Sequence, residues 1–137
     1  MKRHDLKLDK YNISPERYRE LYYFCLQYND RKTALESLRG LHATAQDGQP
    51  HGSGVSDPTA QNGMLAAVKS RENEIIEQSA IEAGGGDLYQ WLFESVIYDL
   101  KYNYLRMAEG IPCSKNEFDN IRRKFFYTLD QKKSQIL

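Results

Sequence analysis

Cysteine is scarce in this chain. Cys25 and Cys113 stand far apart, with no Cys-x-x-Cys pair and no histidine cluster beside them, so the pattern holds neither a disulfide framework nor a zinc site. A dominant sign of charge is missing as well. The 19 Lys and Arg balance 19 Asp and Glu, so any pull on a polyanion has to come from local asymmetry. No apolar run approaches membrane-spanning length, and the charged start Met1-Lys2-Arg3-His4-Asp5 offers no hydrophobic signal region; a cytoplasmic protein with no membrane contact is expected. There is no glycine-rich phosphate loop leading into Lys-Ser/Thr, and Gly84-Gly85-Gly86 lacks the preceding strand of a dinucleotide site. His4, His42 and His51 fall at terminal or loop positions, and no Ser, Cys or carboxylate pair has catalytic spacing. Neither an enzyme nor a cofactor is expected.

What the 137 residues do carry is helical periodicity, and the expected class is all-α. The first ten or so residues are polar and read as loose. Ser14-Pro15-Glu16 is a helix start: the serine caps, the proline occupies a position whose N–H is not needed, and the glutamate complements the helix dipole. Tyr18, Leu21, Tyr22 and Cys25 recur at helical spacing, and Tyr23, Phe24 and Leu26 widen the apolar arc to a core-like face. Asn29-Asp30 reads as a break, with Asp30 capping a second helix towards Gly40 or His42. Residues 1–42 are therefore expected to form a helical hairpin. Residues 43–57, rich in Gly, Ser, Gln and Asp, read as a flexible loop.

Asp57-Pro58 repeats the start signal, and Ala60, Met64, Leu65, Val68, Ile75, Ile76, Ala80 and Ile81 follow at helical spacing. A long spacer helix over 58–84 is expected, either a strut or the seam of a homodimer. The three glycines at 84–86 should end it and open a C-terminal domain over 87–134, where Leu88, Trp91, Leu92, Val96 and Leu100 mark one face. A bend is expected near residues 98–101.

Beyond that bend lies the most informative stretch. Gly110 suits a left-handed helix end, Ile111 a corner plug, Pro112 a stop, and Ser114-Lys115-Asn116-Glu117 a capping box that starts the next helix. Together these are the parts of a helix-turn-helix. With ~100° per residue, Phe118, Ile121, Phe125 and Leu129 gather on one arc of the last helix; Asn116, Asn120, Arg123 and Tyr127 lie opposite, with Asp119 and Lys124 at the edges. From Lys101 onwards eight cations face four anions. Asparagine pairs bidentately with adenine and arginine with guanine, so Asn116, Asn120 and Arg123 are the candidate base readers. Lys115, Arg122, Lys124, Lys132 and Lys133 are candidate phosphate contacts, with Tyr127 on the same face and Arg122 also placed to lie over Phe126.

Gly110-Ile111-Pro112-Cys113-Ser114, Phe118, Arg122-Arg123-Lys124-Phe125-Phe126-Tyr127 and Leu129-Asp130, with Pro50-His51-Gly52-Ser53-Gly54-Val55-Ser56-Asp57-Pro58-Thr59 upstream, resemble small proteins encoded in phages and prophages of Gram-positive bacteria. These are similar to ArpU-type late-gene regulators, whose C-terminal part resembles region 4 of a sigma factor. The resemblance implies a transcription regulator that binds double-stranded DNA through the helix over 114–130. The chain departs from that pattern at Lys101-Tyr102-Asn103-Tyr104, which lacks the Ser or Thr cap of the first reader helix. A homodimer is expected, since paired half-sites supply the specificity that one short helix lacks. The rival expectation is a non-catalytic interaction module, a phage assembly factor or an inhibitor of a host protein; an exposed patch of Tyr18, Tyr22, Tyr23 and Phe24 would favour it.

Overall fold

The computed structural model describes residues 7–45 and 58–135, with side chains described over 7–38 and 60–135. The parts of the expected N-terminal tail and of the 43–57 loop outside those ranges, His51 among them, lie outside the described residues. Every regular element within the ranges is helical. Helix α1 spans Pro15–Leu26, α2 Tyr28–Ala45, α3 Pro58–Tyr98, α4 Tyr102–Tyr104 and α5 Lys115–Gln135.

Helix α1 starts as its sequence predicts. The Ser14 side chain accepts from the Arg17 N–H at 3.1 Å, and Pro15 takes the first helical position. The break that follows differs from expectation. It falls at Gln27, not at Asn29-Asp30, so Asp30 lies in the first turn of α2 and does not cap it. The physical reason is Arg31, which is buried and donates to the Phe24 carbonyl at 2.7 Å, closing the end of α1 from the next helix. Helices α1 and α2 each pack chiefly on α3 and only slightly on one another, so they make a bent pair laid along a third helix.

The glycine run interrupts the helix where the sequence places its end. The backbone is non-helical at Gly85, whose φ of 69° and ψ of −175° fall in a region that side chains with a Cβ avoid, and the helical arms on either side meet at a kink. At Gly84 a Cβ would lie 2.7 Å from the Tyr89 Cα, so the close return of the chain requires glycine there. Helix α3 is thus two arms, 58–84 and 86–98. Its far end closes at Asp99, in the left-handed conformation, with the Leu100 N–H donating to the Ser95 carbonyl, a helix stop of the Schellman kind at the expected bend.

One apolar cluster joins Leu8, Ile13, the α1 residues Tyr18, Leu21, Tyr22, Phe24 and Cys25, both arms of α3 through Ile75, Ile76, Ala80, Leu92, Val96 and Ile97, and Phe125, Phe126 and Leu129 of α5. Burial of Leu8 and Ile13 overturns the expectation of a loose start, at least from residue 7. Each contributes about 1.5–3 kcal/mol on burial, and the two pin a short 3-10 turn, Asp9–Tyr11, against the body of the molecule. Burial also pushes the Cys25 thiol far above the usual thiol range, which leaves it inert. The smaller second cluster, Leu105, Ile111 and Phe118, is ringed by Leu88, Trp91, Leu100, Tyr102 and Cys113. The face expected over Leu88–Leu100 is therefore divided between two cores. Among the described residues no helix is long and apolar enough to cross a membrane.

Candidate nucleic-acid interface

The corner between α4 and α5 is built locally. Lys101 precedes α4 with no side-chain cap, and after one turn the helix widens into a π turn, Leu105–Glu109. Gly110 ends it in the left-handed conformation, at φ 67° and ψ 40°, with its N–H on the Leu105 carbonyl. The Ile111 N–H donates to that carbonyl too, at 3.2 Å, and the Ile111 side chain drops into the small core. Tyr102 closes the corner from outside by donating its hydroxyl to the Cys113 carbonyl at 2.5 Å.

Helix α5 opens with the expected reciprocal box. The Glu117 N–H donates to Ser114 Oγ at 3.2 Å, and the Ser114 N–H donates to Glu117 Oε1 at 3.3 Å. Phe118 then anchors the first turn between α4 and the second arm of α3, while Phe125, Phe126 and Leu129 fix the remainder on the main core. Arg17 of α1 holds the far end through Asp130 at 2.6 Å.

The nine candidate residues fall into three groups. Asn116, Asn120 and Lys124 are exposed on the outer face of α5. Arg123 and Tyr127 share that face but meet the N-terminal turn: Arg123 Nε donates to the Lys7 carbonyl at 3.0 Å, its Nη1 donates to Asn120 Oδ1 at 2.9 Å, and the Tyr127 ring stacks on Tyr11 with centroids 5.0 Å apart. The remaining four are engaged elsewhere. Lys115 pairs with Asp119 at 2.9 Å, and Lys132 pairs with Glu82 at 2.8 Å. Lys133 sits 4.9 Å from the Phe24 ring centre, and Arg122 lies over Phe126 at 5.7 Å with its Nε buried. Arg122 also adjoins Tyr18, whose hydroxyl burial pushes above the usual phenol range while the arginine charge opposes that shift.

The sequence pattern had no signal for the N-terminal turn as part of this surface. Leu8 and Ile13, the apolar residues on either side of Tyr11, are a hint of burial, but the α5 residues that Lys7 and Tyr11 meet are more than a hundred positions away. Elsewhere, a groove of about 460 Å³ lies between the start of α2 and the second arm of α3, lined among others by Tyr28, Lys32, Phe93 and Glu94. Burial and the adjacent Glu109 raise the Glu94 carboxyl. Among the described residues no group of three or more His, Cys, Asp or Glu converges as a metal site would require. No family model, no curated protein and no solved structure matches the chain.

Proposed function

We propose that this chain is a DNA-binding regulator of the phage type, docking the N-terminal half of α5 in the major groove. One observation carries the reading. The corner over 105–118 has its own small core and leaves Asn116, Asn120 and Lys124 outward on the first turns of α5, the part of a reader helix that reaches base edges. The aromatic residues of α1 add to it from the other side: Tyr18, Tyr22 and Phe24 are buried, and Tyr23 is the exposed one of the four, so the patch that favours the rival is not present on that helix.

The test is binding of the full chain to a randomised duplex library, followed by titration of the enriched duplex at two salt concentrations. Asn116→Ala and Asn120→Ala each reduce discrimination at one base position by about 1–3 kcal/mol. Lys124→Ala weakens all sequences alike and lowers the slope of log K against log salt by about 0.9. Failure to bind any duplex at low salt overturns the reading.

The second reading, a protein-interaction module, is favoured by a different surface. Met64, 71% exposed, lies with Leu65 and Val68 in an apolar strip on the first arm of α3 that stays exposed among the described residues. The homodimer proposed for a DNA reader would cover this strip, and sedimentation equilibrium of the wild type against Val68→Glu reads whether it does. A wild type that stays monomeric at all concentrations removes the dimer from the proposal.

A further inference from the structure

The turn over residues 7–13 is held where a passive tail would not be. Leu8 and Ile13 are buried in the main core on either side of Asp9–Tyr11, the Tyr11 and Ile13 N–H groups both donate to the Leu8 carbonyl, and Asn12 reverses the chain in the left-handed conformation. The same turn is fastened to the outer face of α5 at two points, Lys7 O on Arg123 and Tyr11 on Tyr127. Its two cations are exposed, and among the described residues neither has an ion-pair partner. Lys10 keeps its ammonium 5.2 Å from the Tyr11 ring centre, beside the tyrosine stack. Lys7 adjoins Arg123 through its own carbonyl. Lys7 thus sits beside Arg123 and Lys10 beside the stack of Tyr11 on Tyr127, one turn further along α5, while Asp9 is the only carboxylate of the turn.

We infer that this N-terminal turn is the second half of the nucleic-acid surface, with Lys7 and Lys10 contacting DNA phosphates beside the groove that α5 reads. The inference rests on the reading of α5 given above. Its chemistry follows from how cations are distributed along α5: Lys115 and Lys132 are already neutralised by carboxylates, and Arg122 and Lys133 lie over rings, so Lys124 is left as the one lysine of that helix, among the described residues, with neither kind of partner. With one lysine of α5 left without a partner among the described residues, that helix alone would hold DNA weakly, because phosphate contacts supply much of the affinity. The turn adds two more at the same edge. Arg123 then acts as a positioning residue, joining the turn to α5, and not as a base reader.

The experiment compares the full-length wild type, Lys124→Ala and the double variant Lys7→Ala/Lys10→Ala on one enriched duplex, with log K measured between low and moderate salt. The double variant is expected to melt at the wild-type temperature, since both side chains are exposed, and to lower the salt slope by about 1.8, two phosphate contacts at about 0.9 each. A double variant that binds with wild-type affinity and slope, while Lys124→Ala flattens it, overturns the inference and leaves the reading of α5 standing. A wild type that binds no duplex overturns both.

Discussion

Arg31 is the residue whose surroundings are most demanding. It is 6% exposed, and among the described residues its guanidinium meets no carboxylate: Nε donates to Asn73 Oδ1 at 2.6 Å, Nη2 to the Phe24 carbonyl, and the plane lies 4.3 Å from the Phe24 ring centre. Burial accordingly lowers its pKa. Asn73 is equally committed, since its amide donates to the Tyr28 carbonyl at 3.2 Å. Asn73→Ala leaves a buried cation short of an acceptor and a carbonyl short of a donor, and urea denaturation should register a loss of about 2–4 kcal/mol. Replacing both partners, Arg31→Met with Asn73→Leu, removes the desolvated charge along with its need and should recover much of that loss. A double variant as unstable as the two singles added together would show that the groups act independently. Nothing in the local sequence announces this pair, because an arginine in a polar helix looks solvated until a partner 42 positions away is folded against it.

At the scale of the element, the legible signals were those confined to a few neighbouring residues. Ser14-Pro15 starts α1, Ser114 and Glu117 start α5, and Gly110 ends the turn before it, because caps and left-handed stops are satisfied within one helical turn and need no distant partner. Signals that depend on what packs nearby were not legible. Asp30 has the chemistry of a cap and does not act as one, since Arg31 takes over the end of α1. The glycine run does break the helix at Gly85, but nothing in it announces that both flanking arms contribute to one core. Glycine is required there for two separate reasons, and substitution should distinguish them. Gly85→Ala meets open space but forces a Cβ into a backbone region nearly reserved for glycine, a cost of about 1–3 kcal/mol. Gly84→Ala places its Cβ against the Tyr89 backbone, which cannot rotate aside as a side chain would, so its loss in a chemical-denaturation series should be the larger. Equal losses would mean that the second arm swings freely about the kink.

At the scale of the whole molecule, the folded arrangement depends on contacts between the ends of the chain, which periodicity cannot reveal. The start of the chain at Leu8 and Ile13, both arms of α3 and the end of α5 share a single core, whereas the corner over 102–118 rests on the small cluster of Leu105, Ile111 and Phe118. The amide-rich face of α5 could be located by its period, but the turn that lies against it could not. This division of cores predicts a division of stability. Amides of the π turn and of the first turn of α5 have few buried neighbours and should exchange hydrogen through local openings, at a free energy below that of the amides near Ile75, Ile76 and Phe125, which open only with global unfolding. Phe118→Ala should accelerate exchange in the corner selectively while α1 and the 58–84 arm of α3 retain their protection. If instead the variant lowers protection by the same amount throughout, the corner is part of the main cooperative unit, and the surface proposed to meet DNA is as rigid as the core behind it.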